Sequence, residues 1–268
     1  MAERPRRSMD LAADIGEGFG AYRMGDDARL LRTLTSANVA CGFHAGDPRT
    51  MAASVALCQR EGVAIGAHPS FPDLAGFGRR AMDLSRDEVR TDVLYQVGAL
   101  DAFARAAGTR VTHLSPHGRL GSLVATEPTY AAGVADAVEQ YGGLTLLTLP
   151  GELAEEGRRR GMPVRVLGLV DRNFEDDGSL VSRRDPEALL HELEAIVERA
   201  LQLAQDQSVT SRGGHRVEMP CDALLLHGDN VSSVEAAERV RTALEAAGVT
   251  LASYAATDTA TDTATVPA

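Results

Sequence analysis

The 268-residue sequence contains no tryptophan and no lysine; its 27 basic side chains are all arginine. Without lysine there can be no GxxxxGK[ST] loop to cradle nucleotide phosphates, and lysine Schiff-base or nucleophilic chemistry is excluded. Aromatic residues are scarce, at 4%. The three cysteines, Cys41, Cys58 and Cys221, are an odd number without CxxC spacing. That rules against a disulfide framework, a zinc ribbon or a dithiol redox motif and fits a reducing cytosol. No apolar run approaches the roughly 18 residues of a membrane span. The opening MAERPRRS also lacks the apolar core of a signal peptide. The expectation is therefore a cytoplasmic protein with no membrane partner. With 38 acidic residues the formal charge is −11, which argues against nucleic acid, whose binding is built from cations meeting phosphates. A small-molecule substrate is the better expectation.

What is present is a regular alternation. Short Val/Ile/Leu/Ala-rich runs at 9–14, 37–41, 64–68, 110–114, 144–147, 164–169 and 223–227, with a weaker one at 249–253, read as strands buried on both faces. Longer helix-patterned segments separate them. Ser85-Arg86-Asp87-Glu88 forms a capping box, and Asp185-Pro186-Glu187 has the order of a helix start. Gly62, Gly108, Gly161 and Gly248 fit helix C-termini. Seven or eight such repeats in about 250 residues predict a parallel sheet closed into a barrel, with a doubly wound open sheet as the alternative. Against a dinucleotide fold, the glycines of Asp14-Ile-Gly-Glu-Gly-Phe-Gly20 do not follow GxGxxG. Residues 205–220 read as an inserted surface loop. Residues 1–8 and the Ala/Thr/Asp-rich tail 255–268 read as disordered, leaving one barrel domain over 9–254.

Polar motifs stand repeatedly just after the predicted strands: DIGEGFG, GFHAGD, AHPSFPDLAGFGRR, SPHG, DRNF and HGDN. In a parallel barrel these positions converge on the C-terminal face, where such folds build active sites. Five of seven histidines, His44, His68, His113, His117 and His227, lie at or just past strand ends. Carboxylates come from Asp14, Glu17, Asp47, Asp73, Asp171 and Asp229. Two readings of the histidines stay open. Asp14 with some of His44, His68, His113 and His117 could hold a divalent metal, or the imidazoles could bond carboxylates and substrate without one. Arg79 and Arg80 suit a clamp on a carboxylate or phosphate, or else a solvated pair tied to Asp83 or Asp87. Asp47 could simply cap the following helix.

Taken in order, DIGEGFG, TSANVACGFHAGDP, GAHPSFPDLAGFGRR, YQVGAL, PHG, DR and HGD resemble the LamB/YcsF family over about residues 9–254. The resemblance implies an α/β fold, a single (β/α)7-type distorted TIM-like barrel related to the glycoside hydrolase/deacetylase barrels. It also implies an activity: hydrolytic opening of the 5-oxoproline lactam to L-glutamate, driven by ATP with Mg2+ and performed with PxpB-like and PxpC-like partner subunits. Two blocks depart from the family pattern. Ala12 and Ala13 stand where Asn and Cys are usual. Ser115 replaces the lysine before PHG, and Arg119-Leu120-Gly121-Ser122 replaces the aromatic-Asn pair. A neutral hydroxyl at 115 cannot supply the lysine's charge.

On that resemblance, Asp14 or Glu17 with His44 would activate water, and His117 and His68 would serve as acid or oxyanion donor. Arg79 or Arg80 would hold the substrate carboxylate, with Asp47, Ser115, Asp171, Arg172, His227 and Asp229 lining the substrate site. With no P-loop, the nucleotide would bind on a partner subunit or through Mg2+ in the cleft. The alternatives are a metal-dependent amidase or deacetylase that needs no ATP, and a binding subunit without turnover. Self-association is left open.

Overall fold

The computed structural model describes residues 8–228 and 232–254. The expectations for residues 1–7, for the tail 255–268 and for Asp229 lie outside the described residues; Ser8, expected in the disordered start, instead opens the first strand, opposite Thr250. Seven parallel strands form a closed ring: β1 (Ser8–Ile15), β2 (Ser36–Ala40), β3 (Ala64–His68), β4 (Val111–Leu114), β5 (Thr145–Thr148), β6 (Val164–Leu169) and β9 (Ala223–Leu226). The seam closes where β9 pairs with both β6 and β1, Ala223 lying opposite Leu167 and Asp10. A two-residue strand, β10 (Thr250–Leu251), adds to the start of β1. The closed barrel is the predicted architecture; the open sheet is not.

The outer helices bury one stripe each. After the single turn α1 (Asp27–Leu30), α2 (Pro48–Glu61) buries Met51, Ser54, Val55 and Cys58, which follow the 3.6-residue period. In α3 (Arg86–Ala106) Val89, Val93, Val97, Leu100 and Ala104 do the same, after the reciprocal capping box of Ser85 and Glu88. Around the ring follow α4 (Gly118–Thr126), α5 (Pro128–Tyr141), α6 (Glu152–Arg159), α7 (Leu193–Leu201) and α8 (Ser233–Ala246). No helix among the described residues is long and apolar enough to cross a membrane.

Two local readings need correction. Residues 205–220 are not a plain loop: β7 (Ser208–Thr210) and β8 (Arg216–Glu218) form an antiparallel hairpin. Val209 and Met219 are buried, which anchors a segment whose polar composition masks two short strands. Asp185 caps only a single 3-10 turn, Pro186–Ala188; α7 begins at Leu193. The three cysteines are free and buried.

The barrel interior is polar. Residues two apart on a strand share a face, so Asp10, Ala12 and Asp14 of β1 form one row, with Ser36 and Asn38 of β2 beside it. Ser36 donates to Asp10 at 2.6 Å and Asn38 donates to Asp14 at 2.9 Å. Ala12 thus sits between two buried carboxylates. The upper end of this polar core is the candidate site.

Candidate active site

Each of the first four strands delivers one part of a cluster at its C-terminal end. Asp14 is the penultimate residue of β1, and Glu17 follows after Gly16. His44 lies in the turn after β2, His68 ends β3, and His117 stands three residues past β4. Ligand atoms of Glu17, His44, His68 and His117 lie within 4.8 Å of one another, and all four residues are buried. The His44 and His117 rings stack with centroids 3.9 Å apart. Glu17 Oε1 is 3.5 Å from His44 Nε2 and 3.4 Å from His117 Nδ1.

Backbone carbonyls set which ring nitrogens carry protons. His68 Nδ1 donates to the Ser115 carbonyl at 2.6 Å, and His117 Nε2 donates to the Phe77 carbonyl at 2.9 Å. The other nitrogens, His68 Nε2 and His117 Nδ1, face each other at 3.0 Å. Two lone pairs that close would repel, so either a proton shared between them or a cation stands there. Outer-nitrogen bonds to carbonyls are the way metal-ligating histidines are oriented. Neither ring nitrogen of buried His44 has a hydrogen-bond partner among the described residues, which leaves it available as a ligand. Burial, followed by the charges of neighbouring imidazoles, holds His44 and His117 well below the ordinary histidine range, so both are neutral at pH 7. The donor set therefore fits a divalent cation of the zinc type.

Asp14 stands beside this set, its Oδ1 3.3 Å from His68 Nε2. Burial acts to raise its pKa, but the charge and hydrogen bond of His68, with His227 and His117 beyond, bring it below the usual carboxylate range. It is an anion at neutral pH.

The loop after β3 closes over the cluster and is held by two special backbone positions. Phe77 has φ +54°, a left-handed conformation unusual for a non-glycine residue, and it points the carbonyl that holds His117. Gly78 has φ +64°, and a Cβ there would stand 2.9 Å from His44 Cβ and 3.0 Å from His117 Cδ2 while colliding with Ser70. Buried Gln96 of α3 fixes the start of the loop, accepting from Ser70 N at 3.0 Å and donating to Ser70 O at 2.9 Å.

Across the barrel mouth lies a second pair. His227 Nδ1 is 2.9 Å from both Asp171 oxygens, and Arg183 Nη2 is 2.8 Å from His227 Nε2. Burial acts to lower the His227 pKa, and the charge and hydrogen bond of Asp171 outweigh it and raise it; the Arg183 charge opposes that rise, so a proton on Nε2 competes with the Arg183 bond.

The remaining expected residues divide. His113 does not join the cluster; it lies one layer deeper, its Nε2 3.0 Å from Asn38 Oδ1. Asp47 caps α2, accepting from Arg49 N and Thr50 N at 2.9 Å, and also holds Gly20 N at 2.7 Å. Arg80 pairs with Asp73, not with Asp83 or Asp87. Arg79 lies over the Phe77 ring at 4.9 Å. Arg172 is buried, and its guanidinium donates to the Ala188 and Val181 carbonyls. Ser115 is buried and takes part through its backbone carbonyl. Sequence reasoning missed Asn38, Phe77 and Arg183. Asn38 alone carried a signal, as the one amide within the apolar run 37–41.

A closed parallel barrel with a buried carboxylate-imidazole cluster at its C-terminal mouth defines a class of protein built for chemistry on small molecules. The chain belongs to the LamB/YcsF family, whose model matches residues 9–259. It is similar to the 5-oxoprolinase A subunit of Methylococcus capsulatus, at 47% identity over 92% of this chain and 95% of that one. The same-named protein of Kocuria rhizophila is 45% identical over 92% of this chain and 99% of its own. A crystal structure of a lactam utilization protein from Thermus thermophilus superposes with a TM-score of 0.87 at 40% identity, covering 92% of this chain and all of that one.

Proposed function

We propose that the protein is the A-type component of a 5-oxoprolinase: with PxpB-like and PxpC-like partners it opens the 5-oxoproline lactam to L-glutamate at the expense of ATP. One observation carries the reading. A buried Glu17-His44-His68-His117 cluster beside ionised Asp14 occurs in a chain whose relatives, 45% to 47% identical over nearly their whole length, are named as the 5-oxoprolinase A subunit.

Opening an unactivated lactam needs a positioned water, a stabilised oxyanion and a proton for the leaving nitrogen. Asp14, held as an anion by His68, accepts a hydrogen bond from the attacking water and receives its proton. Glu17, His44, His68 and His117 would hold a divalent cation, which when bound supplies charge stabilisation for the carbonyl oxygen. His227, steadied by Asp171, returns a proton to the ring nitrogen as it departs. ATP makes the step run forward: transfer of its γ-phosphoryl to the amide oxygen leaves ADP and an electrophilic carbon; one water adds there and the protonated ring nitrogen departs, leaving an acyl phosphate from which a second water displaces phosphate. The chain has no P-loop, so the reading puts the nucleotide on a partner subunit or, through Mg2+, in the carboxylate-lined cleft.

The reconstituted subunits should form glutamate and ADP from 5-oxoproline in equal amounts. Asp14→Asn and His117→Ala should each lower kcat by roughly a hundredfold or more. Absence of glutamate, or full activity in both variants, overturns the proposal. A second reading, a metal-dependent amidase without ATP, is favoured by the same four ligands; lactam opening by this chain alone, abolished by chelation and independent of ATP, would select it.

A further inference from the structure

The chain has no lysine, so the permanently cationic side chains at the barrel mouth are arginines. Arg183 lies on the 170–192 excursion between β6 and α7, and that segment is pinned to the barrel by its own buried side chains. Arg172 donates to the carbonyls of Val181, two residues before Arg183, and of Ala188. Arg199 of α7 in turn donates to the Arg172 carbonyl at 2.8 Å. The excursion is therefore a fixed platform, and the exposed Arg183 side chain reaches from it to the barrel mouth.

There it meets an acceptor. With both Asp171 oxygens on His227 Nδ1, the ring proton resides on Nδ1 and the Nε2 lone pair receives the Arg183 N–H at 2.8 Å. While that bond stands, His227 Nε2 can neither take nor give a proton. Arg183 also adds to a crowd of like charge. Burial and then the charge of Arg183 bring Arg172 down to about 10, with Arg79 a further contributor; the Arg79 charge reaches His44 as well. Asp171 partly offsets these charges but is itself engaged by His227, and a substrate anion offers Arg183 a stronger, bidentate partner than an imidazole nitrogen.

We propose that Arg183 is the receptor for a small oxyanion carried by the substrate, and that capturing this anion draws Arg183 off His227 Nε2. On the lactam reading that anion is the ring's carboxylate, and His227 becomes competent only when it is present. The inference rests on the lactam reading above for the identity of the substrate, but not for the existence of the anion receptor.

Calorimetric titration of the full chain separates the two. L-5-oxoproline, neutral 2-pyrrolidinone and inorganic phosphate are titrated into the wild type, Arg183→Gln and Arg183→Lys. The expected result is at least a tenfold rise in Kd for 5-oxoproline in Arg183→Gln, partial recovery in Arg183→Lys and no change for 2-pyrrolidinone. In the wild type, 5-oxoproline but not 2-pyrrolidinone should shift the His227 Nε2 resonance. A loss confined to phosphate also supports an oxyanion receptor and assigns it to a phosphoryl group. Unchanged Kd for both anions, or equal losses for the neutral lactam, overturns the inference even if the assembled subunits open 5-oxoproline. Failure of those subunits to open 5-oxoproline, with the Arg183 effect on phosphate intact, removes the lactam reading alone.

Discussion

The buried amide of Asn38 couples two residues that do not touch. It donates to Asp14 at 2.9 Å and accepts from His113 Nε2 at 3.0 Å. His113 thus fixes which way the amide points, and the amide completes the bonding of the proposed water-binding carboxylate. This arrangement exists because residue 66 is glycine: a Cβ there would overlap the His113 ring. Gly66→Ala should therefore displace His113, cost roughly 2 kcal/mol or more of stability and lower kcat, measurable by denaturant unfolding and steady-state kinetics. His113 also gives a pH signature. Burial brings it from 6.5 down to about 4, so below pH 6.5 the unfolded chain binds a proton that the folded chain refuses. Stability from this residue is thus intact above pH 6.5 and is lost progressively as pH falls towards 4, by on the order of 3 kcal/mol. His113→Gln should flatten that part of the unfolding free energy against pH, and an unchanged slope would assign the loss to other groups.

At the scale of elements, the strands and their order were legible because parallel barrel strands are short apolar runs between turn and cap signals. Ala64–His68 and Val164–Leu169 agree with the reading to the residue. The hairpin at 208–218 was not legible, because only Val209, Val217 and Met219 betray it among polar neighbours. The site was half legible. That histidines gather after strands follows from topology, but which of them share a centre depends on depth. His113 and His117, four apart, lie on opposite sides of a bend and serve different layers. Asp47 shows a limit of another kind: its type and position suit both ligand binding and capping, and only the three backbone N–H groups it accepts reveal where its oxygens are spent. Asp47→Ala should lower the midpoint of thermal or denaturant unfolding through loss of the cap. It should also free the loop after β1, whose Gly20 N–H it holds, giving faster amide exchange at residues 18–20.

For the molecule as a whole, the four residues able to hold a cation come from the segments following β1 to β4, so one ion would tie together half of the ring. Zinc added to chelator-treated protein should raise Tm in proportion to the logarithm of its concentration above Kd, and His44→Ala should abolish the shift. No shift with zinc, manganese or nickel would leave a shared proton between His68 and His117 as the account of their approach. The seam has a further consequence, for synthesis on the ribosome. Asp10 of β1 pairs with Ala223 of β9, so the first strand waits for almost the entire chain before its second edge is covered. By the time residue 117 has emerged, every residue of the acid-histidine cluster has been made, but three of the seven ring strands have not. Barrel closure sets a slow, non-local last step, and until β9 arrives the nascent chain depends on being kept from pairing that edge with a neighbour.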